Sequence, residues 1–180
     1  MVPTAIENGD PRVRIDGAKV SDLKRLSVSE LLRLHAGVLD ELRLREVVRS
    51  SNGPSGDYAE FLFSRAFAWT LENNSSAGHD ATDDNGTRYQ IKCRRVTERK
   101  PSRQMSALRN LMNNPFDVLA AVLLDESFVV SRAALIPISV VIEKSSYTKH
   151  VNAHRFILRD SVWSIPGVVD VTEKLRETQQ

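Results

Sequence analysis

The rest of this chain is arranged around residues 77–95, AGHDATDDNGTRYQIKCRR. The triplet at residues 84–86, Asp-Asn-Gly, lies between two segments of alternating polarity, which predicts a β-hairpin. On the second predicted strand, Tyr89, Ile91 and Cys93 alternate with Arg88, Gln90, Lys92 and Arg94. Because successive side chains along a strand point to opposite faces, Gln90 and Lys92 share one polar face.

The length of the turn determines which residue lies opposite Gln90. A two-residue turn would pair Asp80 with Ile91 and place the aspartate on the apolar face. A three-residue loop over residues 84–86, with Gly86 in the left-handed conformation, pairs Asp80 with Gln90 and leaves Lys92 diagonal to it. Glycine at the third loop position is what the longer loop requires, so we predict the second register.

This arrangement resembles the PD-(D/E)XK nuclease superfamily of restriction-endonuclease-like folds. In that family an acidic residue on one strand is followed, on the next strand, by an acidic residue or occasionally Gln, then any residue, then Lys. The matching residues here are Asp80 and the Gln-x-Lys variant formed by Gln90 and Lys92. The resemblance covers roughly residues 55–124 and includes Glu60 on a preceding predicted helix. It implies an endonuclease that hydrolyses DNA phosphodiester bonds with Mg²⁺ or Mn²⁺.

The resemblance assigns a role to each of these side chains. Asp80, Gln90 and Glu60 would supply oxygen ligands to the cation, the ligand type that Mg²⁺ prefers. Lys92 would orient or deprotonate the attacking water and stabilise the charge that develops on the phosphate. Gln90 departs from the commoner acidic residue, and its neutral amide predicts weaker metal affinity.

Other interpretations of the same residues stay open. The polar face of a strand is commonly just its solvent side, and an aspartate near a turn is commonly a turn residue. Glu60 stands three residues after Asp57, so the two also fit a capping box at a helix start. The chain is then either a catalytically inactive nuclease-like module that binds DNA or protein, or an interaction protein that assembles through its first long helix.

A cluster of basic residues follows the candidate strand. Eight Lys or Arg residues lie between positions 88 and 109, against the single acid Glu98. Such a local field attracts a phosphate backbone, although a solvated basic loop is the plain alternative. The predicted nucleic-acid contacts are Arg88, Arg94, Arg95, Arg99, Lys100, Arg103, Gln104 and Arg109.

Length and composition predict one globular α/β domain with an added helix. The 180 residues are 41% hydrophobic and 27% charged, with a net charge of +2, which is ordinary for a domain with a real core. We predict a flexible leader over residues 1–27, an N-terminal helical arm over 28–51 and a nuclease-like domain over 55–180. The domain should hold a central mixed sheet of about five strands flanked by helices, as in a restriction-endonuclease-like core.

Hydrophobic periodicity and capping signals place the individual elements. The first predicted helix begins with Ser29 as its cap. Further predicted helices span about residues 57–71, 103–112 with Ser102 as cap, a stretch opened by Pro137, and 171–177. Predicted strands include a buried run at 116–124, its hairpin partner at 128–135 and an edge strand at 155–158. Cleavage of both DNA strands needs two active sites, which suggests a homodimer. The wide apolar face of the first helix is the predicted dimer contact.

The sequence also indicates the cellular compartment and argues against a zinc site. No apolar run approaches the length of about 20 residues that a transmembrane helix needs, so we expect no membrane partner and a cytoplasmic location. Cys93 is the only cysteine, which excludes an internal disulfide and a cysteine-based zinc site. His150 and His154 are four residues apart, but no third ligand lies near them in sequence.

Overall fold

The computed structural model describes residues 20–50, 53–73 and 78–179, with the side chains of residues 20–22 left aside. The chain forms two compact units, Met1–Glu46 and Val47–Gln180. Most of the predicted leader over residues 1–27 lies outside the described residues.

The described part of the first unit is helical. A 3₁₀ turn, Val20–Arg25, precedes helix α1, Val28–Leu44. Ser27 caps this helix, so the prediction of Ser29 as the cap was wrong. The reason is the capping box: Ser27 Oγ accepts from the backbone of Glu30, and the Glu30 carboxylate accepts from the Ser27 backbone at 2.7 Å. No α1 residue is buried.

The second unit is built on a mixed sheet, as predicted. Its elements are α2 (Ser55–Phe67), β1 (Thr70–Leu71), β2 (Ala81–Thr82), β3 (Arg88–Arg95), β4 (Val118–Leu124), β5 (Val130–Pro137), α3 (Ile138–Lys144), β6 (Ser146–Thr148), β7 (Ala153–Arg155), β8 (Val169–Asp170) and α4 (Thr172–Thr178). The strand order is β1-β2-β3-β4-β5-β8, with β3 and β4 parallel and the other neighbours antiparallel. Strands β6 and β7 form a separate ribbon. Within the described residues, no helix is long and apolar enough to span a membrane.

The sheet separates two apolar cores. One contains Phe63 of α2 and Leu175 of α4, packed with Ile91 of β3. The other contains Val141 of α3 and Phe156, packed with alternate residues of β4. Strand β4 therefore contributes to both cores, which explains its nearly continuous apolar sequence and confirms the prediction of a strand buried on both faces.

Two predicted boundaries were wrong because tertiary pairing overrides local pattern. Helix α2 ends at Phe67, since Ala68 adopts a left-handed conformation with φ of 57°, and Thr70–Leu71 then joins the sheet. The strand predicted at residues 155–158 is instead Ala153–Arg155, which pairs with β6.

The predicted helix over residues 103–112 is absent. Met105 donates its backbone N–H to Phe156 at 2.9 Å, and Leu108 exchanges backbone hydrogen bonds with His154. These long-range bonds hold an extended segment, in which a 3₁₀ turn forms only at Leu111–Asn113. Met105, Leu108 and Leu111 are all buried, so their helix-like spacing reflects packing of the segment on the second core.

Candidate active site

The hairpin between β2 and β3 has the predicted three-residue register. Ala81 pairs with Tyr89 and Thr82 pairs with Arg88, so the next pair outward is Asp80 and Gln90. The loop is tied by the Asp83 carboxylate, which accepts backbone hydrogen bonds from residues 85 and 87 at 3.0 and 2.8 Å. Gly86 has a φ of 78°, the left-handed conformation that this loop requires.

The register brings Asp80 into direct contact with Gln90. The side-chain amide of Gln90 donates a hydrogen bond to Asp80 Oδ2, and the backbone N–H of Ile91 donates to the same oxygen at 2.7 Å. The Asp80 backbone N–H donates to the Tyr89 carbonyl at 2.8 Å, which continues the ladder past the end of β2. Asp80 is therefore held by β3 through both its backbone and its carboxylate.

Lys92 follows Gln90 on the same face of β3. Gln90 lies beside Leu119 and Lys92 beside Ala121 in the parallel ladder with β4. Both polar side chains are half-buried, while Ile91 between them enters the first core. Among the residues that the structure describes, Lys92 forms no hydrogen bond or ion pair.

Glu60 of α2 lies within the electrostatic field of Asp80. Burial raises the pKa of the Glu60 carboxyl, and the nearby Asp80 charge raises it further, whereas a hydrogen bond from Arg49 lowers it. Glu60 and Arg49 form an ion pair with side chains that are 19% and 29% exposed. The helix cap is Pro54, without a side-chain cap, so the capping-box interpretation of Glu60 was wrong.

Asp57 also has a different role from the predicted one. Its Oδ2 accepts hydrogen bonds from the backbone N–H groups of Arg49 and Ser50 at 2.8 and 2.7 Å. The carboxylate therefore fixes the chain that enters α2, and this chain carries Arg49. Arg49 was not among the predicted site residues because nothing in the local pattern around position 49 indicates a contact with residue 60.

Several predicted nucleic-acid contacts already have protein partners. The Arg88 guanidinium donates to both oxygens of Asp117, at 3.1 and 2.8 Å, and this pairing lowers the pKa of Asp117. Arg103 pairs with Asp160 at 2.8 Å. These arginines support the fold, and a phosphate would have to compete with their carboxylates.

The remaining basic residues differ in their availability. Arg94 donates to the Ser102 carbonyl at 2.9 Å, and Gln104 forms an isolated β-bridge with Ile157. Arg95 donates to the Glu126 carbonyl and lies 4.3 Å above the Phe128 ring. The exposed side chains of the cluster without such contacts in the described part of the chain are Arg99, Lys100 and Arg109.

We found no protein-family model and no curated protein that matches this sequence.

The oxygen donors of Asp80, Glu60 and Gln90 are the side-chain groups here that bear on the predicted metal site. Asp80, Glu60 and Gln90 offer two carboxylates and one amide, all oxygen donors suited to Mg²⁺ or Mn²⁺. In the described residues, no group of three or more His, Cys, Asp or Glu side chains could hold a metal ion. The third donor here is an amide, which lies outside those four residue types, so a Mg²⁺ site stays a prediction from the sequence.

Proposed function

We propose that this chain is a Mg²⁺- or Mn²⁺-dependent DNA endonuclease of the PD-(D/E)XK kind. The observation that supports the proposal is the contact between Asp80 and Gln90 on adjacent strands, with Lys92 next along the same face of β3. Glu60 adds a second carboxylate within the field of Asp80. A strand-borne carboxylate, an amide and a lysine at this spacing are the features that the family motif combines.

Each residue has a distinct task in this proposal. A bound Mg²⁺ would supply Lewis-acid polarisation of the scissile phosphate. Asp80 binds the cation with its carboxylate, and Gln90 both orients Asp80 and offers its amide oxygen. Glu60 completes the ligand set directly or through water. Lys92 holds the attacking water by a hydrogen bond and stabilises the negative charge that develops on the phosphate oxygens.

The test is cleavage of supercoiled plasmid DNA with Mg²⁺ or Mn²⁺, with EDTA as the blank. We expect nicked or linear product from the native protein and a loss of at least about a hundredfold in Asp80→Ala and in Lys92→Ala. Lys149→Ala, an exposed lysine remote from this motif in the chain, is the matched control and should retain activity. Activity that survives both site substitutions would rule out this proposal.

A second function is favoured because the negative charge of the candidate site is already partly neutralised. Gln90 brings no charge, and Arg49 already neutralises Glu60, so the net negative charge available to a cation is small. The alternative is a nuclease-like module without catalysis that binds DNA or protein. A gel shift that weakens with salt, without cleavage, would favour this module. Absence of DNA binding at low salt would leave an interaction protein.

The DNA-binding surface in this proposal centres on Arg99, Lys100 and Arg109, whose exposed side chains are the most available of the basic cluster. Each phosphate contact that is lost should weaken binding and reduce its salt dependence. The double variant Arg99→Glu with Lys100→Glu should therefore bind a DNA duplex at least about tenfold more weakly. Unchanged affinity in fluorescence anisotropy would exclude this surface.

We further propose that the protein is a cytoplasmic homodimer that pairs through α1. The helix exposes large apolar side chains, among them Val28, Leu32 and Leu44 at 74%, 64% and 76%. A helix with such a face is stabilised mainly by burying it. Light scattering should report a dimer for the native chain and a monomer for Leu32→Glu with Val38→Glu. A native monomer at micromolar concentration would exclude the pairing.

A further inference from the structure

Arg49 is the residue of the candidate site that no motif indicates. Its backbone is fixed by Asp57, which accepts the N–H groups of residues 49 and 50 at 2.8 and 2.7 Å. The first turn of α2 therefore fixes the backbone of Arg49, and the Arg49 guanidinium contacts Glu60 on the same helix.

The guanidinium links Glu60 to the strand end that carries Asp80. One nitrogen binds the Glu60 carboxylate, and the other donates to the Glu72 carbonyl at 3.1 Å. Glu72 in turn donates its backbone N–H to the Asp80 carbonyl at 2.9 Å. Arg49 thus fastens the second carboxylate of the site to the backbone segment beside the first.

The charges around Glu60 explain why a positive charge is favourable beside it. The Glu60 side chain is only 19% exposed, and Asp80 and Asp57 add negative charge to its surroundings. Carboxylates that are close together and shielded from water repel each other unless a positive charge is present. Arg49 supplies one positive charge, and a divalent cation would supply two at the same place.

We infer that Arg49 is a positioning residue that acts as an internal counter-cation for Glu60. A divalent cation must either displace the Arg49 guanidinium from the Glu60 carboxylate or share that carboxylate with it. This inference rests on the proposed function, because it assumes that Asp80 and Glu60 bind the cation. The consequence is specific: the positive charge of Arg49 weakens metal binding, and its removal strengthens metal binding. A residue with a merely structural role would change the affinity in the opposite direction.

The experiment is a titration of the full chain with Mn²⁺ alone, in which isothermal titration calorimetry measures the binding affinity. Arg49→Gln removes the charge and should bind Mn²⁺ roughly tenfold more tightly, because one like charge is removed from the cation's surroundings. Arg49→Lys keeps the charge and should remain close to the native affinity. Arg45→Gln is the matched control, since Arg45 also pairs with a glutamate, Glu41 at 2.7 Å, but does so on α1.

Asp80→Asn distinguishes the two levels of failure. If native Mn²⁺ binding does not depend on Asp80, the proposed function fails and the inference fails with it. If binding depends on Asp80 but Arg49→Gln binds no more tightly than the native protein, the inference alone is overturned. Should Arg49→Gln not fold, Glu60→Gln and the double variant of both positions replace it. The double variant must then bind Mn²⁺ more tightly than Glu60→Gln, and equal or weaker binding would overturn the inference.

Discussion

At the scale of single residues, Cys93 shows how the apolar face of β3 controls chemistry. The thiol lies against the first core, and burial raises its pKa to about 12. An ordinary cysteine is partly thiolate at pH 8, and only the thiolate is reactive. We expect a disulfide reagent such as DTNB to leave the native protein largely unlabelled at pH 8 and to label one thiol in urea. Complete labelling of the folded protein within minutes would contradict this placement.

Gln90→Glu tests the contact that defines the candidate site. The change removes the N–H donor to Asp80 and places two carboxylates against each other, so without metal the protein should lose about 1 kcal/mol or more of unfolding free energy. Added Mn²⁺ should raise the melting temperature of the variant more than that of the native protein, because the proposed cation site would then contain three carboxylates.

The control for that variant is Asn85→Asp, which makes the same charge change at an exposed position of the same hairpin. It should alter neither the metal-free melting temperature nor the Mn²⁺ response by a comparable amount. An equal response to Mn²⁺ in Gln90→Glu and the native protein would show that residue 90 does not face the cation.

The pairing of Asp80 with Gln90 could be predicted, whereas the contact of Arg49 with Glu60 could not. The first depends on the loop at residues 84–86, whose glycine specifies the register within a short stretch of chain. The second depends on how the chain turns back before α2, and Asp57 fixes that turn through backbone hydrogen bonds. The local sequence pattern specifies the hairpin register but not the path of the chain before α2.

At the scale of elements, the hairpin loop predicts a difference between two glycines. Gly86 has a positive φ with open space around it, so Gly86→Ala should cost about 1–2 kcal/mol through backbone strain alone. Gly56 lies in α2, also with open space, and Gly56→Ala should stabilise the protein by about 0.5–1 kcal/mol. Urea unfolding of both variants measures the difference, and equal stabilities would contradict the left-handed loop.

The segment before β4 shows how a local pattern can indicate the wrong type of element. Residues 103–112 were predicted as a helix, whereas the structure buries Met105, Leu108 and Leu111 of this segment in the second core without one. The backbone groups of this segment find partners at residues 154 and 156, about fifty positions away. Such partners satisfy an extended chain as fully as helical bonds would, and they are visible only in the folded molecule.

At the scale of the whole molecule, the sheet, both apolar cores and the candidate site lie within Val47–Gln180. Helix α1 contains no buried residue. Cooperative stability comes mainly from buried apolar surface. A chain that lacks residues 1–46 should therefore unfold cooperatively within about 3 °C of the full-length melting temperature, a shift that corresponds to less than about 1 kcal/mol.

The same truncated chain separates the role of α1 from that of the site. If α1 pairs two copies, the truncated chain should be a monomer by light scattering while it retains Asp80-dependent binding of Mn²⁺. In plasmid cleavage it should still nick one strand but produce linear DNA more slowly, because two sites no longer arrive together. A truncated chain that remains dimeric would move the dimer interface to the sheet-containing unit, and one that no longer unfolds cooperatively would show that α1 contributes to that unit's stability.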